Sequence, residues 1–178
     1  VIMLVAFAGT MTTWAPAAFS NAPADAVTAA TPLAIIASGE GELPTLAQMF
    51  LGARGGSMGE TSCLALLLGG IYLIYRRVIS WHTPVAFIGT VLVCTALLGQ
   101  QPLYQVMAGG LFLGAIFMAT DYTTSPPTPA GKLIFGLGCG LITVLIRVWG
   151  NFPEGVSFSI LLMNILNPYI CDWTRTKP

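Results

Sequence analysis

The chain has 178 residues, of which 55% are hydrophobic and 8% charged, with no net charge and a mean hydropathy of +0.79. Soluble domains carry about 25% charged residues, and large apolar patches exposed to water associate. A freely soluble globular domain is therefore excluded, and lipid is the expected solvent for much of the chain. Without a basic tract or an acidic tail, nucleic-acid binding and disorder are set aside as well.

The expected fold is an all-α integral membrane protein, a polytopic bundle of about six helical segments in one membrane domain over residues 1–178. The first segment, Val1 to about Trp14, reads as a partial membrane helix. Its apolar run from Ile2 to Ala8 lacks a basic leader region, but Ala15-Pro16-Ala17 imitates a cleavage site, so a signal-like segment is the alternative. Residues 15–59 follow as a long outer segment rich in small residues and proline. Structureless connections of this length are usually functional. Within it, Pro32–Ala37 and Thr45–Ala53 are apolar enough to dip into the membrane or lie on it.

The helix bundle is expected over residues 60–170, entered through a capping box at Ser57-Met58-Gly59-Glu60. Its helices are expected over Thr61–Tyr75, Val85–Leu98, Leu103–Thr120, Leu133–Gly150 and Val156–Ile170. Several are shorter than the roughly 20 residues that span the hydrocarbon core unaided. Gly110 with Gly114, and Gly136 with Gly140, have the spacing that lets membrane helices approach closely. Ser125-Pro126-Pro127-Thr128-Pro129 and Asn151-Phe152-Pro153-Glu154-Gly155 read as turns, and residues 171–178 as a cytoplasmic tail.

Counting alternate crossings, Arg76, Arg77, Lys132, Arg175 and Lys177 share one side, while Arg54 and Arg147 share the other. The excess of basic residues assigns the first side, with the C-terminus, to the cytoplasm. Asp25, Glu40, Glu42, Glu60 and Glu154 then lie outside, and Asp121 and Asp172 inside. Cys63, Cys94, Cys139 and Cys171 form no CxxC, and His82 is the sole histidine. That pattern argues against a protein-built metal site and leaves the cysteines as small hydrophobes. His82 beside Trp81 is expected at the cytoplasmic interface.

Two features could carry chemistry. Carboxylates at membrane depth are costly, which singles out Glu60 and Asp121, at helix ends on opposite sides, as ion-path candidates. For Glu60 the plain alternative is the capping box, and for Asp121 exposure to cytoplasmic water. The other feature is Asp25-Ala26-Val27-Thr28-Ala29-Ala30-Thr31-Pro32-Leu33, a small-residue loop with accessible hydroxyls.

That stretch resembles the flavinylation motif of the Rnf and Nqr respiratory complexes. Thr31 matches the flavin acceptor, Asp25 the leading acid, Thr28 the hydroxyl position and Ala30 the preceding small residue. Ala29 stands where such motifs often have glycine. Gly56–Ser62, Gly69–Arg76, Ala119-Thr120-Asp121 and Asn164–Tyr169 also look like the D subunits of Rnf complexes, with the Nqr B subunits as near relatives.

The resemblance implies a covalent FMN on Thr31, a second noncovalent flavin, and the C-terminal half of a bundle with inverted repeats. It further implies a multi-pass component of the prokaryotic cell membrane, in a redox-driven Na⁺ or H⁺ pump. That component relays electrons between ferredoxin and NAD rather than acting as an enzyme alone. Other Rnf subunits, especially the flavin-carrying G subunit, and a flavin transferase are the implied partners. A channel or secondary transporter with a re-entrant outer loop is the alternative from another class.

Overall fold

The computed structural model describes residues 45–52, 62–108, 110–150 and 155–175. The described residues are helical, with no strand among them. In chain order the elements are α1 (Leu46–Leu51), α2 (Cys63–Tyr75), α3 (His82–Leu97), α4 (Pro102–Met107), α5 (Leu111–Leu113), a π-helical turn (Gly114–Met118), α6 (Pro129–Trp149) and α7 (Val156–Thr174). The expected first helix and most of the outer segment lie outside the described residues.

Local chemistry sets the ends of these elements. Thr45 and Gln48 cap α1 reciprocally: the Gln48 amide donates to Thr45 Oγ1, and the Thr45 amide to Gln48 Oε1. Gly52, at φ +93°, closes it in the left-handed conformation. This two-turn helix falls in the stretch expected to re-enter or lie on the membrane. Helix α2 begins at Ser62, whose Oγ accepts from the Ala65 amide. The expected cap at Ser57–Glu60 lies outside the described residues.

Helix α6 starts four residues earlier than expected, because Pro129 at its first position suits a helix entry and Thr128 accepts from the Gly131 amide. Helix α7 runs four residues further than expected, to Thr174, despite Pro168 in its interior.

The larger correction concerns Leu103–Thr120, expected as one helix. It is two pieces, because Ala108 turns extended, at φ −85° and ψ 144°. The sequence there is Ala108-Gly109-Gly110, and each glycine disfavours helix by about 1 kcal/mol relative to alanine. After the break the helix widens: the Ala119 amide donates to the Gly114 carbonyl 2.7 Å away, an i→i+5 bond. Gly110 therefore caps the second piece, and Gly114 packs against Val156.

Helices α3 and α6 form the most extensive contact, and α7 lies along the other side of α6. Phe87 and Val91 of α3, Phe135 and Cys139 of α6, and Leu111 and Ala115 of the broken segment are almost fully buried in this core. The Gly136/Gly140 pair mediates the α3–α6 approach. A Cβ built on Gly136 would lie 2.8 Å from the Thr83 carbonyl oxygen, and one on Gly140 3.1 Å from that of Phe87. Helices α6 and α7 are joined by hydroxyls. Thr143 Oγ1 lies 2.8 Å from Ser159 Oγ inside the core, and Thr128 Oγ1 lies 2.8 Å from Thr174 Oγ1 at the other end.

By length and composition, α6 is the one helix among the described residues able to cross a membrane. Helices α2 and α3 are apolar but shorter. Leu68, Ile71 and Tyr72 of α2 and Leu97 of α3 are more than half exposed. Outward-facing apolar surface is what contact with lipid or with neighbouring subunits requires.

Candidate functional site

The structure adds a polar site that sequence reading passed over. Helix α4 ends inside the bundle, beside buried Gln105 and Ala108. The last carbonyls of a helix lack intrahelical donors, and at such depth an unsatisfied one is costly. Arg147, on the last turn of α6, supplies them: Nη1 donates to the Gln105 carbonyl at 2.5 Å, and Nη2 faces the Ala108 carbonyl at 3.4 Å. Gln105 Oε1 lies 3.5 Å from Nη1. A guanidinium thus sits at the negative end of a half-helix, where the helix dipole favours a cation.

The sequence signals were present but separate. Ala108-Gly109-Gly110 marks a weak point in a helix, and Arg147 is the one basic residue of an apolar stretch. Their pairing across some forty residues could not be read from spacing. Replacing Arg147 with Met should leave the α4 carbonyls without these donors and lower stability by about 1–3 kcal/mol. Thermal unfolding of the detergent-extracted protein is the check, with Arg147→Lys expected to recover part of the loss.

Of the candidate flavin-site and ion-path residues, Asp121 alone is described; Asp25, Thr28, Ala30, Thr31 and Glu60 lie outside the described residues. Asp121 follows the π-helical turn and organises the next one. Its Oδ2 accepts from Thr123 Oγ1 at 2.5 Å and Thr124 Oγ1 at 3.3 Å, and the Ser125 amide donates to its backbone carbonyl at 2.9 Å. The Thr123 hydroxyl in particular holds this carboxyl below its ordinary pKa of 3.8. The group is therefore a carboxylate at neutral pH, engaged by its own turn.

His82 stacks on Trp81 with ring centroids 4.2 Å apart, and its buried Nδ1 has no hydrogen-bond partner among the described residues. Cys63 and Cys139 are buried. Among the described residues no three His, Cys, Asp or Glu side chains converge as a metal site would need.

Comparison with known proteins places the chain. The family described as NQR2, RnfD, RnfE matches residues 1–178. The chain is 49% identical over 156 residues to the D subunit of the Na⁺-translocating ferredoxin:NAD⁺ oxidoreductase complex of Acetobacterium woodii, covering 86% of this chain and 49% of that protein. It is 46% identical over 191 residues to the D subunit of the proton-translocating ferredoxin:NAD⁺ oxidoreductase complex of Clostridium ljungdahlii, covering 97% and 56%. The D subunit of an ion-translocating oxidoreductase complex of Stutzerimonas stutzeri is 50% identical over 128 residues, covering 68% and 36%. The chain spans about half the length of the curated relatives it matches. With all 178 residues matched, this chain belongs to the NQR2, RnfD, RnfE family.

Proposed function

We propose that the chain forms part of a multi-pass membrane component of a bacterial ion-translocating ferredoxin:NAD⁺ oxidoreductase, and that Thr31 carries FMN through a phosphoester bond. Identity near one half to D subunits of complexes bearing that name, over most of this chain, carries the first statement. The motif from Asp25 to Thr31 supports the second. FMN supplies one- and two-electron redox chemistry, while the protein sets its position and electrostatics. Thr31 is the attachment point, Asp25 and Thr28 lie near it in sequence to assist the transferase, and Ala30 leaves the hydroxyl accessible. A second flavin is held noncovalently. The Thr31 loop faces outside, beside the flavin-carrying G subunit, and the C-terminus faces the cytoplasm.

Intact-mass measurement of the polypeptide matured alongside its flavin transferase tests this reading. The expected result is a mass higher by one FMN less water, with the adduct mapping to the peptide that holds Thr31. An unmodified Thr31 in the mature protein would overturn it and favour the channel or transporter reading, which the interrupted α4–α5 segment also suits.

Glu60 and Asp121 are the ion-path candidates, each at the end of an apolar stretch and on opposite sides, and one of them is proposed to line the path. Glu60→Gln with Asp121→Asn should lower redox-driven ion uptake into vesicles about tenfold, if the carboxylate that lines the path contributes about 1.4 kcal/mol to the barrier. Uptake equal to wild type in the double variant removes both from the path.

A further inference from the structure

A cavity of about 180 Å³ opens at the end of the bundle where the α2–α3 connection meets the proline-rich turn before α6. Ser80, Thr83, Ser125 and Lys132 line it, and Pro126 and Pro127 form part of its apolar wall. Thr83 is 1% exposed, yet its hydroxyl makes no hydrogen bond to any described residue. The side-chain hydroxyls of Ser80 and Ser125 are equally uncommitted among the described residues. All three hydroxyls open on the cavity, where their O–H groups are free to donate to a bound group.

The charge of that lining decides its class. Lys132 contributes a cation, and among the described residues no carboxylate lines the cavity. The nearby acid, Asp121, is turned to Thr123 and Thr124 instead. The Thr120 hydroxyl, also at the cavity, donates to the Ile116 carbonyl at 2.5 Å. What remains is one ammonium and three free hydroxyl donors, a set that suits an oxyanion, and a phosphate offers it more oxygens and more negative charge than a carboxylate does. Lysine is a common phosphate binder, acting as a point charge.

We propose that this cavity holds a phosphate group, with Lys132 as its counter-ion and Ser80, Thr83 and Ser125 as its donors. The volume admits the phosphate together with a short substituent lying against the prolines. Either a membrane phospholipid headgroup or a soluble phosphate compound presents this chemistry. Such binding does not depend on flavin attachment.

Its test uses the full-length protein extracted in a neutral maltoside detergent and washed free of lipid. Val78 borders the cavity and is largely exposed, so Val78→Cys reports occupancy through its rate of maleimide labelling, read at that peptide by mass spectrometry. Labelling should slow by about tenfold at a ligand concentration about ten times its dissociation constant. The probes are inorganic phosphate and dihexanoyl phosphatidylglycerol. Protection by phosphate assigns a soluble ligand, and protection by the lipid alone assigns a headgroup. In either case protection must vanish in Lys132→Gln and return in Lys132→Arg. No protection by either probe, or equal protection in Lys132→Gln, overturns the proposal. If Lys132→Gln fails to fold, Ser125→Ala in the same assay must weaken protection, and unchanged protection overturns it equally.

Discussion

On the proposed attachment, Thr31→Ala is expected to produce a chain with no covalent flavin, so that the flavin fluorescence expected of the parent protein's denatured band on a gel is lost. Ferredoxin-dependent NAD⁺ reduction by membranes should fall to background with it. The physical reason is the tether. In the proposed arrangement a phosphoester would fix the flavin at an effective concentration in the millimolar range beside its redox partner, which a free nucleotide at cellular levels would not replace. Thr31→Ser separates the hydroxyl from the side chain's shape: it keeps an oxygen nucleophile and should retain a fraction of the fluorescence. Undiminished fluorescence in Thr31→Ala would mean that the flavin is attached elsewhere.

The second large effect lies in the packing of α3 on α6. Gly136→Leu should destabilise the bundle by about 3 kcal/mol or more, lowering the yield of folded protein and its unfolding midpoint. Even a Cβ at this position would meet the Thr83 carbonyl oxygen and the Ala86 Cβ, both at 2.8 Å. Backbone cannot yield there without parting the two helices. Gly140 faces the same helix one turn on, where a Cβ would lie 2.6 Å from that of Thr90, so Gly140→Leu should behave alike. Gly89 is the control, since a Cβ there meets nothing within 4 Å, and Gly89→Ala should be near neutral. Equal stability of Gly136→Leu and Gly89→Ala would refute the close-approach argument.

Part of this was legible in the residues. The Gly136/Gly140 spacing announced a close helix contact, and the contact is there, because a run of four residues returns to one helical face. The helical character of α2, α3, α6 and α7 followed equally from composition and turn chemistry. The interruption at Ala108 did not. Apolar residues continue on both sides of it, so hydropathy reads straight through, and the donor that makes the break tolerable, Arg147, arrives from a distant helix. The same limit applies to the phosphate cavity. Ser80, Thr83, Ser125 and Lys132 are ordinary residues one by one, and only folding brings them to one opening. The motif around Thr31 is the converse case, since its meaning comes from resemblance and no contact among the described residues bears on it.

The hydroxyl pairs between α6 and α7 have a mechanical consequence. Thr143–Ser159 sits near the loop that joins the two helices, and Thr128–Thr174 sits near their far ends. A hairpin pinned at both extremities resists scissoring, so the two helices are expected to move together as one bar. The compliant joint then lies where the backbone is already interrupted, between α4 and the widened turn at Gly114–Met118.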